Sequence, residues 1–397
     1  MNLPKARQSS AEGSSSFSRT FEQLVESNKR MTKNKKMIWF FLFFLSVVLA
    51  GHAYLYWHVW QILPCGNMLK WVVLALMTLA FACLFICNSP LQSRFPLKLA
   101  RAVYETGCSW IFILLYLFIT FLLLDIGRLL HLVPKTFLHH STIGTGSIAL
   151  LLIGVFLYGY LHYLDKYRET LTLNSKGKLK KEMKIVLASD LHIGYHNNRK
   201  ELARWVDMLN AEHADLILVA GDIIDGSIRP VDEERMEEEF HRLNAPIVAS
   251  YGNHDYITGI QRSAAFFKKA GIQLVQDSSV TIGDLCVIGR DDRSNRRRKT
   301  VKELAKAADM NKYTILLDHQ PYHLELAEQS GIDFQFSGHT HEGQVWPISL
   351  ITHATYECDF GPWQRGNTQY YISSGLGIWG GKFRIGTRSE YVVVTIK

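Results

Sequence analysis

The chain has 397 residues, a net charge of +8 and 20% charged residues, against roughly 25% in a typical soluble protein. This composition excludes a disordered chain, a collagen, a small disulfide scaffold and a simple soluble enzyme. The average conceals two halves. Charges are scarce between Met37 and Leu164, whereas charged and apolar residues mix from Asp165 onward as in a globular domain. The six cysteines show no metal-binding spacing, so free thiols are expected.

The first half predicts a flexible basic tail at residues 1–36 and a transmembrane region at residues 37–164. Long apolar runs follow a cluster of lysine and arginine residues, and each approaches the roughly 20 residues that cross a bilayer. These runs lie at Met37–Trp60, Trp71–Cys87, Ser109–Leu124 and Thr145–Leu164. Four spans are therefore predicted, and three or five remain alternatives.

Basic residues indicate the orientation of these spans. They are concentrated before the first run, after the second and after the fourth, and they are few in the alternate loops. By the positive-inside rule, both termini of this multi-pass protein are expected in the cytoplasm, with the plasma (inner) membrane as the expected location. No nucleic-acid partner is expected, because the basic residues follow the membrane boundaries. Asp125 and Arg128 are expected to form an interfacial ion pair, the alternative being a functional pair.

The second half predicts a linker and edge strand at residues 165–183 and one α/β domain at residues 184–397. Short apolar runs alternate with helical stretches, which is typical of largely parallel central strands. The five principal strands are predicted at Lys184–Asp190, Asp215–Asp222, Pro246–Asn253, Tyr313–Gln320 and Asp333–His341. Helices are predicted at Arg199–Asn210, Glu233–Leu243 and Gly259–Ala270, a hairpin around Gly283 and Asp284, and late strands at Tyr370–Ser374 and Glu390–Ile396.

Each of the five predicted strands ends in side chains that can bind a metal ion. The blocks are Asp190-Leu-His192, Gly221-Asp222, Gly252-Asn253-His254-Asp255, Asp318-His319 and Gly338-His339-Thr-His341. Ligand sites in α/β folds gather at the carboxyl ends of the strands. Carboxylate, imidazole and amide ligands suit first-row divalent ions. One such block is a weak signal, but five in succession predict a metal centre.

These five blocks, in this order, resemble the signature of the calcineurin-like metallophosphoesterases. The resemblance covers residues 168–397. The stretch GHTHEGQVWP and the ending SSGLG…RIGTRSEYVVV are similar to the membrane-associated phosphodiesterase branch of that family. The resemblance implies a β-sandwich flanked by helices, which here would follow a bundle of about four transmembrane helices. It also implies two divalent ions, with Mn²⁺ expected and Fe or Zn as alternatives.

The resemblance implies a role for each block of the motif. The implied ligands are Asp190, His192 and His341 for one ion, Asn253, His319 and His339 for the second, and Asp222 for both. His254 corresponds to the catalytic histidine of the family, which lies near the scissile phosphate and binds no metal.

Three further residues are assigned to the surroundings of the site, each with an alternative. Asp225 either orients a ligand or shapes a turn. Asp255 either orients His254 or makes a structural hydrogen bond. His196 either lines the pocket or has a surface or core role.

Two groups of side chains have a membrane-related interpretation and an ordinary one. Arg293, Arg296, Arg297, Arg298 and Lys299 either contact an anionic surface or form a solvated loop. Trp346, Trp363, Trp379 and Phe383 either form an apolar cap for a lipid or pack in the ordinary way.

Taken together, these features predict a membrane-anchored two-metal phosphohydrolase that cleaves a phosphodiester or pyrophosphate bond. A lipid or lipid precursor is the expected substrate, because a short tether keeps the site near the bilayer. One alternative is a phosphatase or phosphodiesterase acting on soluble nucleotides or phosphoproteins. A second is a membrane sensor or transporter whose globular domain only binds a ligand, although a pure binder does not need the complete ligand set.

Overall fold

The computed structural model describes residues 39, 43 and 46–397, which form two compact units. One unit contains the described residues up to Leu74 together with Leu117–Thr145, and the other contains Ala75–Tyr116 and Gly146–Lys397. The tail predicted at residues 1–36 lies outside the described residues. So does part of the first predicted span, at residues 37–38, 40–42 and 44–45.

Long helices make up the N-terminal part of the described chain. They are α1 (residues 46–62), α2 (Asn67–Cys87), α3 (Leu97–Leu129) and α4 (Thr142–Leu164). Among the described residues, α2, α3 and α4 are long and apolar enough to cross a membrane. They correspond to the second, third and fourth predicted spans. The 33 residues of α3 extend about 50 Å, whereas the hydrocarbon layer is about 30 Å thick. This helix is therefore long enough to continue beyond the apolar layer.

A polar cluster lies within the first unit. Tyr54 donates a hydrogen bond of 2.8 Å to Asp125, and His58 Nε2 lies 2.9 Å from the same carboxylate oxygen. Arg128 Nη1 lies 3.6 Å from the other oxygen of Asp125. The expected Asp125–Arg128 pair is therefore present, but Asp125 also binds two side chains of α1.

Two six-stranded sheets form the framework of the second unit. The first contains β1 (Lys166–Leu173), β2 (Met183–Ala188), β3 (Leu216–Ala220), β4 (Ile247–Ser250), β5 (Gln273–Leu274) and β12 (Ser389–Ile396), in the order β1-β12-β2-β3-β4-β5. The second contains β6 (Ser278–Ile282), β7 (Leu285–Gly289), β8 (Tyr313–Leu317), β9 (Phe334–Ser337), β10 (Gly361–Arg365) and β11 (Thr368–Ile372), in the order β10-β11-β9-β8-β7-β6. The predicted hairpin around Gly283 and Asp284 is the antiparallel pair β6–β7.

The two sheets share one hydrophobic core, and helices cover their outer faces. Leu218 of β3 and Phe336 of β9 belong to the same fully buried cluster. Two further clusters join the sheets to helices, through residues such as Trp205 on one side and Leu304 on the other. The helices are α5 (Arg199–Asn210), α6 (Arg229–Glu233), α7 (Glu237–Phe240), α8 (Asn253–Thr258), α9 (Ile260–Lys269), α10 (Val301–Ala307), α11 (Glu325–Gln329) and α12 (Ile348–Thr355). The predicted α/β sandwich flanked by helices is confirmed.

One predicted helix and the five principal strands differ from the structure in their extent. The single helix predicted at Glu233–Leu243 is wrong, because α6 and α7 are separate short helices. Arg235 lies between them with φ +53°, a left-handed conformation that a continuous right-handed helix cannot contain. The predicted strands also end earlier than expected. β2 stops at Ala188, for example, and Asp190 already has φ +54°.

Candidate metal centre and active site

The five sequence blocks follow five strands whose carboxyl ends lie side by side. β2, β3 and β4 are adjacent parallel strands of the first sheet, and β8 and β9 are adjacent parallel strands of the second. Each block therefore begins in the loop that follows its strand, and the five loops, three from the first sheet and two from the second, lie next to one another. The side chains form three groups of three there, within which the candidate ligand atoms lie within 4.8 Å of one another. Two of these groups consist of predicted metal ligands and are called the first and second clusters, and the third joins His192 to Asp225 and His254.

The first cluster contains Asp190, His192 and His341. Nε2 of His192 lies 3.1 Å from Nε2 of His341, and Oδ1 of Asp190 lies 3.7 Å and 3.5 Å from these two nitrogens. All three residues are buried. Two imidazole nitrogens and a carboxylate oxygen that converge without solvent form a donor set suited to a divalent ion.

The second cluster contains Asp222, His319 and His339. Oδ2 of Asp222 lies 3.1 Å from Nε2 of His319 and also 3.7 Å from Nε2 of His192 in the first cluster. Asp222 therefore contacts predicted ligands of both ions, as a bridging carboxylate would. Oδ1 of Asn253 is buried and has no hydrogen-bond partner among the described residues, so it is free to act as a ligand.

The hydrogen bonds of His319 test whether this donor set fits a metal ion. Nδ1 of His319 lies 2.7 Å from the carbonyl oxygen of Ala220, which requires Nδ1 to carry the proton in the neutral ring. Nε2 then presents a lone pair toward the Asp222 carboxylate. Two facing lone pairs repel unless a positive group lies between them. Although burial opposes it, Asp222 raises the pKa of His319, so a second ring proton fills this position in the metal-free site, and a metal ion that displaces the proton would fit there. Metal-binding histidines usually donate their other ring N–H to a carbonyl or carboxylate oxygen, which fixes the tautomer and the orientation of the ring, and the carbonyl of Ala220 does this for His319.

Burial and neighbouring charges set the protonation of the cluster residues. Burial lowers the pKa of His341 to about 3 and that of His339 to about 4, so both rings are neutral at physiological pH. Burial opposes ionisation of Asp190 and Asp222, but the facing histidines outweigh it and hold the pKa of both carboxyl groups below the usual range. Metal binding needs neutral imidazoles and ionised carboxylates. Although burial opposes it, the facing carboxylates raise the pKa of His192 to about 10 and hold the pKa of His319 well above its usual range, so a metal ion must displace a proton from each of these two rings.

The backbone of the loops is strained at the predicted ligands. Residues other than glycine with left-handed φ include Asp190, His192, Asp222, His339 and His341, at values between +45° and +72°. Such residues cluster at functional sites, where the surrounding structure holds them in place. Glycine is required for close approach at two positions. A Cβ on Gly338 would lie 2.2 Å from Oδ2 of Asp190, and a Cβ on Gly252 would lie 2.2 Å from Oδ1 of Asp222.

His254 pairs with Asp225 at the edge of the first cluster. Nδ1 of His254 lies 2.9 Å from Oδ1 of Asp225, and the His254 ring is perpendicular to that of His192 at a centroid distance of 4.6 Å. Oδ1 of Asp225 also lies 3.6 Å from Nδ1 of His192. Asp225 therefore orients His254. Its backbone N–H also bonds the carbonyl of Ile193, so it contributes to the turn as well.

Asp255 does not orient His254, contrary to one expectation from the sequence. Its buried carboxylate accepts hydrogen bonds from three backbone N–H groups, those of Asp222, Ile224 and Gly252. The structural alternative therefore describes Asp255. His196 is also buried, and its Nε2 lies 2.8 Å from the carbonyl oxygen of Ile378. Burial lowers the pKa of His196 to about 4, which leaves a neutral ring behind the pocket wall.

Two residues of the site were missed from the sequence. Arg384 is fully buried and donates hydrogen bonds to the carbonyl oxygens of His341 at 2.7 Å and Ser374 at 2.5 Å. Burial lowers the pKa of Arg384 to about 10, so the guanidinium stays charged and holds the loop that carries His341. The second is Tyr104 on α3, which donates a hydrogen bond to Oδ2 of Asp225. Arg384 begins the RIGTRSEYVVV stretch that carries part of the family resemblance, but the sequence gives no sign of its contacts, and no sequence signal links Tyr104 to the site.

A cavity of about 590 Å³ lies beside His254 and Asp225. One side is formed by the end of α2, the following loop and the start of α3. The other is formed by the catalytic loops and α8–α9. The lining includes Asn88, Ser89, Ser93, Tyr104, Arg229, Ile257, Arg262 and Trp379. Hydroxyl, amide, guanidinium and apolar groups alternate around it, so it suits a polar group attached to an apolar body.

The basic residues between Arg293 and Lys299 and the four C-terminal aromatic residues include both structural side chains and exposed ones. Arg298 lies 3.1 Å from Asp318 and is structural, whereas Arg296 and Arg297 are exposed. Phe383 packs against two aromatic rings of α3 and α4 in the ordinary way. Trp379 is 42% exposed, and its ring lies 6.2 Å from that of His254.

Comparison with known proteins agrees with this site. The family model described as calcineurin-like phosphoesterase matches residues 183–343. An uncharacterized metallophosphoesterase of Helicobacter pylori is 32% identical over 249 residues, which span 61% of this chain and 67% of that protein. One of Aquifex aeolicus is 32% identical over 262 residues, spanning 62% of this chain and 98% of that protein.

A transmembrane protein with metallophosphoesterase domain from Danio rerio is 25% identical over 398 residues, which span 90% of this chain and 89% of that protein. The likeness therefore includes the apolar helices as well as the catalytic domain. With the two His/Asp clusters and the three candidate spans, these relatives identify a membrane protein with a metal-dependent phosphoesterase domain, and the chain belongs to the calcineurin-like metallophosphoesterase family.

Proposed function

We propose that this protein hydrolyses a phosphodiester or pyrophosphate bond of a lipid or lipid precursor, at the cytoplasmic face of the plasma membrane, with two divalent ions. The cavity beside His254 carries the substrate assignment. Its lining combines residues of α2, α3 and their connecting loop with residues of the catalytic domain. A substrate in this cavity would contact the ends of membrane helices while its phosphate lies near His254.

The residues of the two clusters would hold the ions, with Mn²⁺ expected. Asp190, His192 and His341 would bind one, Asn253, His319 and His339 the other, and Asp222 both. When bound, such ions lower the pKa of an attacking water and neutralise charge on the phosphate. The left-handed backbone conformation of the ligand residues and the closely packed glycines hold the ligands in place before an ion binds. Less conformational entropy is therefore lost on metal binding.

His254 has the position of a general acid. Its Nδ1 is engaged by Asp225, so Nε2 is the ring nitrogen that remains to donate a proton, and His254 lines the cavity. In the proposed reaction the oxygen of the attacking water forms a new bond to phosphorus. The bond from phosphorus to the leaving oxygen breaks, and that oxygen takes the electron pair and a proton from Nε2. A proton from the attacking water restores His254. The products are an alcohol and a phosphomonoester, or two phosphates from a pyrophosphate.

The first experiment tests the reaction with the full-length protein purified in detergent. Metal-dependent turnover of bis(4-nitrophenyl) phosphate is expected with Mn²⁺, and EDTA should abolish it. Asp222→Ala should retain less than about 1% of the activity, because both ions lose a ligand. Asp309→Ala, at an exposed aspartate outside both clusters, is the matched control. Substantial turnover by Asp222→Ala in EDTA would exclude a two-metal mechanism.

A second experiment tests the lipid assignment. The kcat/KM of wild type should be higher for a short-chain phospholipid or lipid pyrophosphate than for a cyclic nucleotide or a phosphopeptide. Ser93→Trp places a bulky ring at the cavity wall formed by the loop after α2. It should raise KM for the lipid about tenfold and leave turnover of bis(4-nitrophenyl) phosphate nearly unchanged. Ser279→Trp on exposed β6 is the control. A preference for the soluble substrates, unaffected by Ser93→Trp, would favour a nucleotide or phosphoprotein hydrolase.

A further inference from the structure

We propose that Tyr104, on membrane helix α3, positions the catalytic histidine through Asp225. This inference rests on the proposed function, since it assigns a residue to that same reaction. It is carried by a chain of two hydrogen bonds in the second unit. The hydroxyl of Tyr104 donates to Oδ2 of Asp225, and Oδ1 of Asp225 lies 2.9 Å from Nδ1 of His254.

Tyr104 is itself held rigidly. Its side chain is 9% exposed and stacks on the rings of Tyr195 and His196 at centroid distances of 5.5 Å and 5.3 Å, with interplanar angles below 30°. One turn earlier on α3, Arg101 donates to the carbonyl oxygen of Tyr195 and forms an ion pair with Glu234. The hydroxyl of Tyr104 therefore approaches Asp225 from a fixed direction.

The two oxygens of Asp225 have competing neighbours. Oδ1 lies 2.9 Å from Nδ1 of His254 but also 3.6 Å from Nδ1 of His192, a predicted metal ligand. A carboxylate can rotate between such neighbours. The hydrogen bond from Tyr104 to Oδ2 fixes that rotation, so Oδ1 stays directed toward His254. The His254 ring is thereby held with Nε2 toward the cavity, as transfer of its proton to the leaving oxygen requires.

One consequence is that a helix long enough to span the membrane contributes to catalysis as well as to anchoring. Tyr104 and Asp225 are 121 positions apart in the chain. A shift of α3 would change the orientation of His254 directly. The positioning chain and the cavity wall both use the start of α3, so substrate binding and orientation of the acid depend on the same segment.

The test is Tyr104→Phe in the full-length protein, which removes one oxygen and keeps the stacked ring. Two diesters serve as probes: diphenyl phosphate, whose leaving group needs a proton, and bis(4-nitrophenyl) phosphate, whose leaving group does not. The expected result is a fall of about tenfold in kcat for diphenyl phosphate, with little change in KM or bound metal. The fall in kcat for bis(4-nitrophenyl) phosphate should be less than about twofold, because its leaving group needs no proton. This difference between the two diesters is expected if the variant affects only the general acid.

A double-mutant cycle separates positioning from general structural damage. In a His254→Gln background, Tyr104→Phe should have no further effect on diphenyl phosphate, because the group it positions is gone. Tyr370→Phe is the control for loss of a buried hydroxyl, since Tyr370 of β11 donates a hydrogen bond to the carbonyl oxygen of Leu324. This control should lower thermal stability without any dependence on the leaving group.

Three patterns of activity loss in Tyr104→Phe would overturn the proposal. They are an equal loss on both diesters, a loss that persists at full size in the His254→Gln background, and a loss that follows the metal content. If the wild type with Mn²⁺ turned over neither diester and no lipid pyrophosphate, the proposed function itself would fail, and this inference with it. An active wild type with an indifferent Tyr104→Phe overturns the inference alone.

Discussion

The backbone N–H of Asp222 donates a hydrogen bond of 3.0 Å to Oδ2 of Asp255, a fully buried carboxylate. The same carboxylate accepts the N–H groups of Gly252 at 2.9 Å and Ile224 at 3.1 Å. Asp255 therefore ties the loop after β3 to the loop after β4. Because these loops carry Asp222 and Asn253, Asp255 sets the separation of two predicted ligands.

Asp255→Asn should lower both stability and metal content. The asparagine side chain has one acceptor oxygen and an NH₂ group, so at least one of the three backbone N–H groups would lose its acceptor. A buried donor without a partner costs about 1–3 kcal/mol. Thermal melts and metal analysis of the purified protein measure both effects. Asp309→Asn, at an exposed aspartate outside both clusters, is the control and should change neither. An Asp255→Asn protein that keeps two ions and a normal melting temperature would show that the three hydrogen bonds do not hold the ligands.

The sequence predicted the strands and the blocks at their ends because both follow local rules. Apolar runs form the strands, and the carboxyl ends of neighbouring parallel strands bring successive loops together. Asp190, Asp222 and His319 could therefore be placed near one another without knowledge of the sheet order. The parallel pairing of β1 with β12, between residues more than 200 positions apart, could not be inferred, because no local pattern specifies it.

The rest of the site depends on contacts that no spacing encodes. Sequence proximity offered Asp255 as one candidate partner of His254, yet the structure gives that position to Asp225, on the loop after β3. Arg384 looks like a surface arginine in a glycine-rich segment, and only the fold buries it. Tyr104 lies in an apolar helix where a tyrosine is unremarkable by composition. All three cases require the tertiary structure.

The stability of the protein should depend on pH through Glu390. This side chain is fully buried beside Tyr371 and Ser374, and burial raises its pKa from 4.5 to about 7, although Arg388 opposes the shift. Between these two pH values the folded state keeps a proton that the unfolded chain has lost. The contribution is therefore complete below pH 4.5 and disappears as the pH rises through 7. The total is on the order of 3 kcal/mol.

Glu390→Gln is a neutral mimic that isolates this effect. The variant and the wild type should have similar melting temperatures at pH 5, and the variant should melt higher at pH 8. Other titrating groups act alike in both proteins, so the difference between them belongs to position 390. A difference in melting temperature that stays constant from pH 5 to pH 8 would mean that Glu390 has an ordinary pKa.

The predicted orientation can be tested through Cys65, in the loop between α1 and α2. It is the one partly exposed cysteine among the six, since Cys83, Cys87, Cys108, Cys286 and Cys358 are buried. Three predicted spans, α2, α3 and α4, separate this loop from the catalytic domain. If that domain is cytoplasmic, the loop therefore lies on the opposite side of the membrane. A membrane-impermeant maleimide should therefore label Cys65 in intact cells, and Cys65→Ser should abolish the labelling.

The complementary position is the turn between β6 and β7 in the catalytic domain. In the Cys65→Ser background, Asp284→Cys should react with the same reagent only after the membrane is permeabilised. The reverse pattern, with Asp284→Cys labelled in intact cells, would place the domain outside. The substrate would then have to come from the outer leaflet.

His254 and His339 should differ in what their loss removes. His254 bonds Asp225 through Nδ1, whereas His339 belongs to the second cluster with Asp222 and His319. His254→Gln is therefore expected to keep both ions and to lose about 10²–10⁴-fold in turnover of diphenyl phosphate, the usual range for a lost general acid. The loss should be much smaller with bis(4-nitrophenyl) phosphate. His339→Gln should lose one ion and be inactive toward both diesters.

Metal analysis of the two variants distinguishes these roles, and the geometry makes the test demanding. His254 also lies within ligand distance of His192 and Asp225, so these three side chains could themselves hold an ion. In that case His254→Gln would lose one equivalent of metal and would be equally impaired on both diesters. Retention of both ions, combined with dependence on the leaving group, requires that Asp225 orients an acid rather than sharing a metal with it. Among the described residues, Tyr104 is the one hydrogen-bond donor to Oδ2 of Asp225. The positioning role of Tyr104 requires the same outcome, because it acts on His254 only if Asp225 orients an acid.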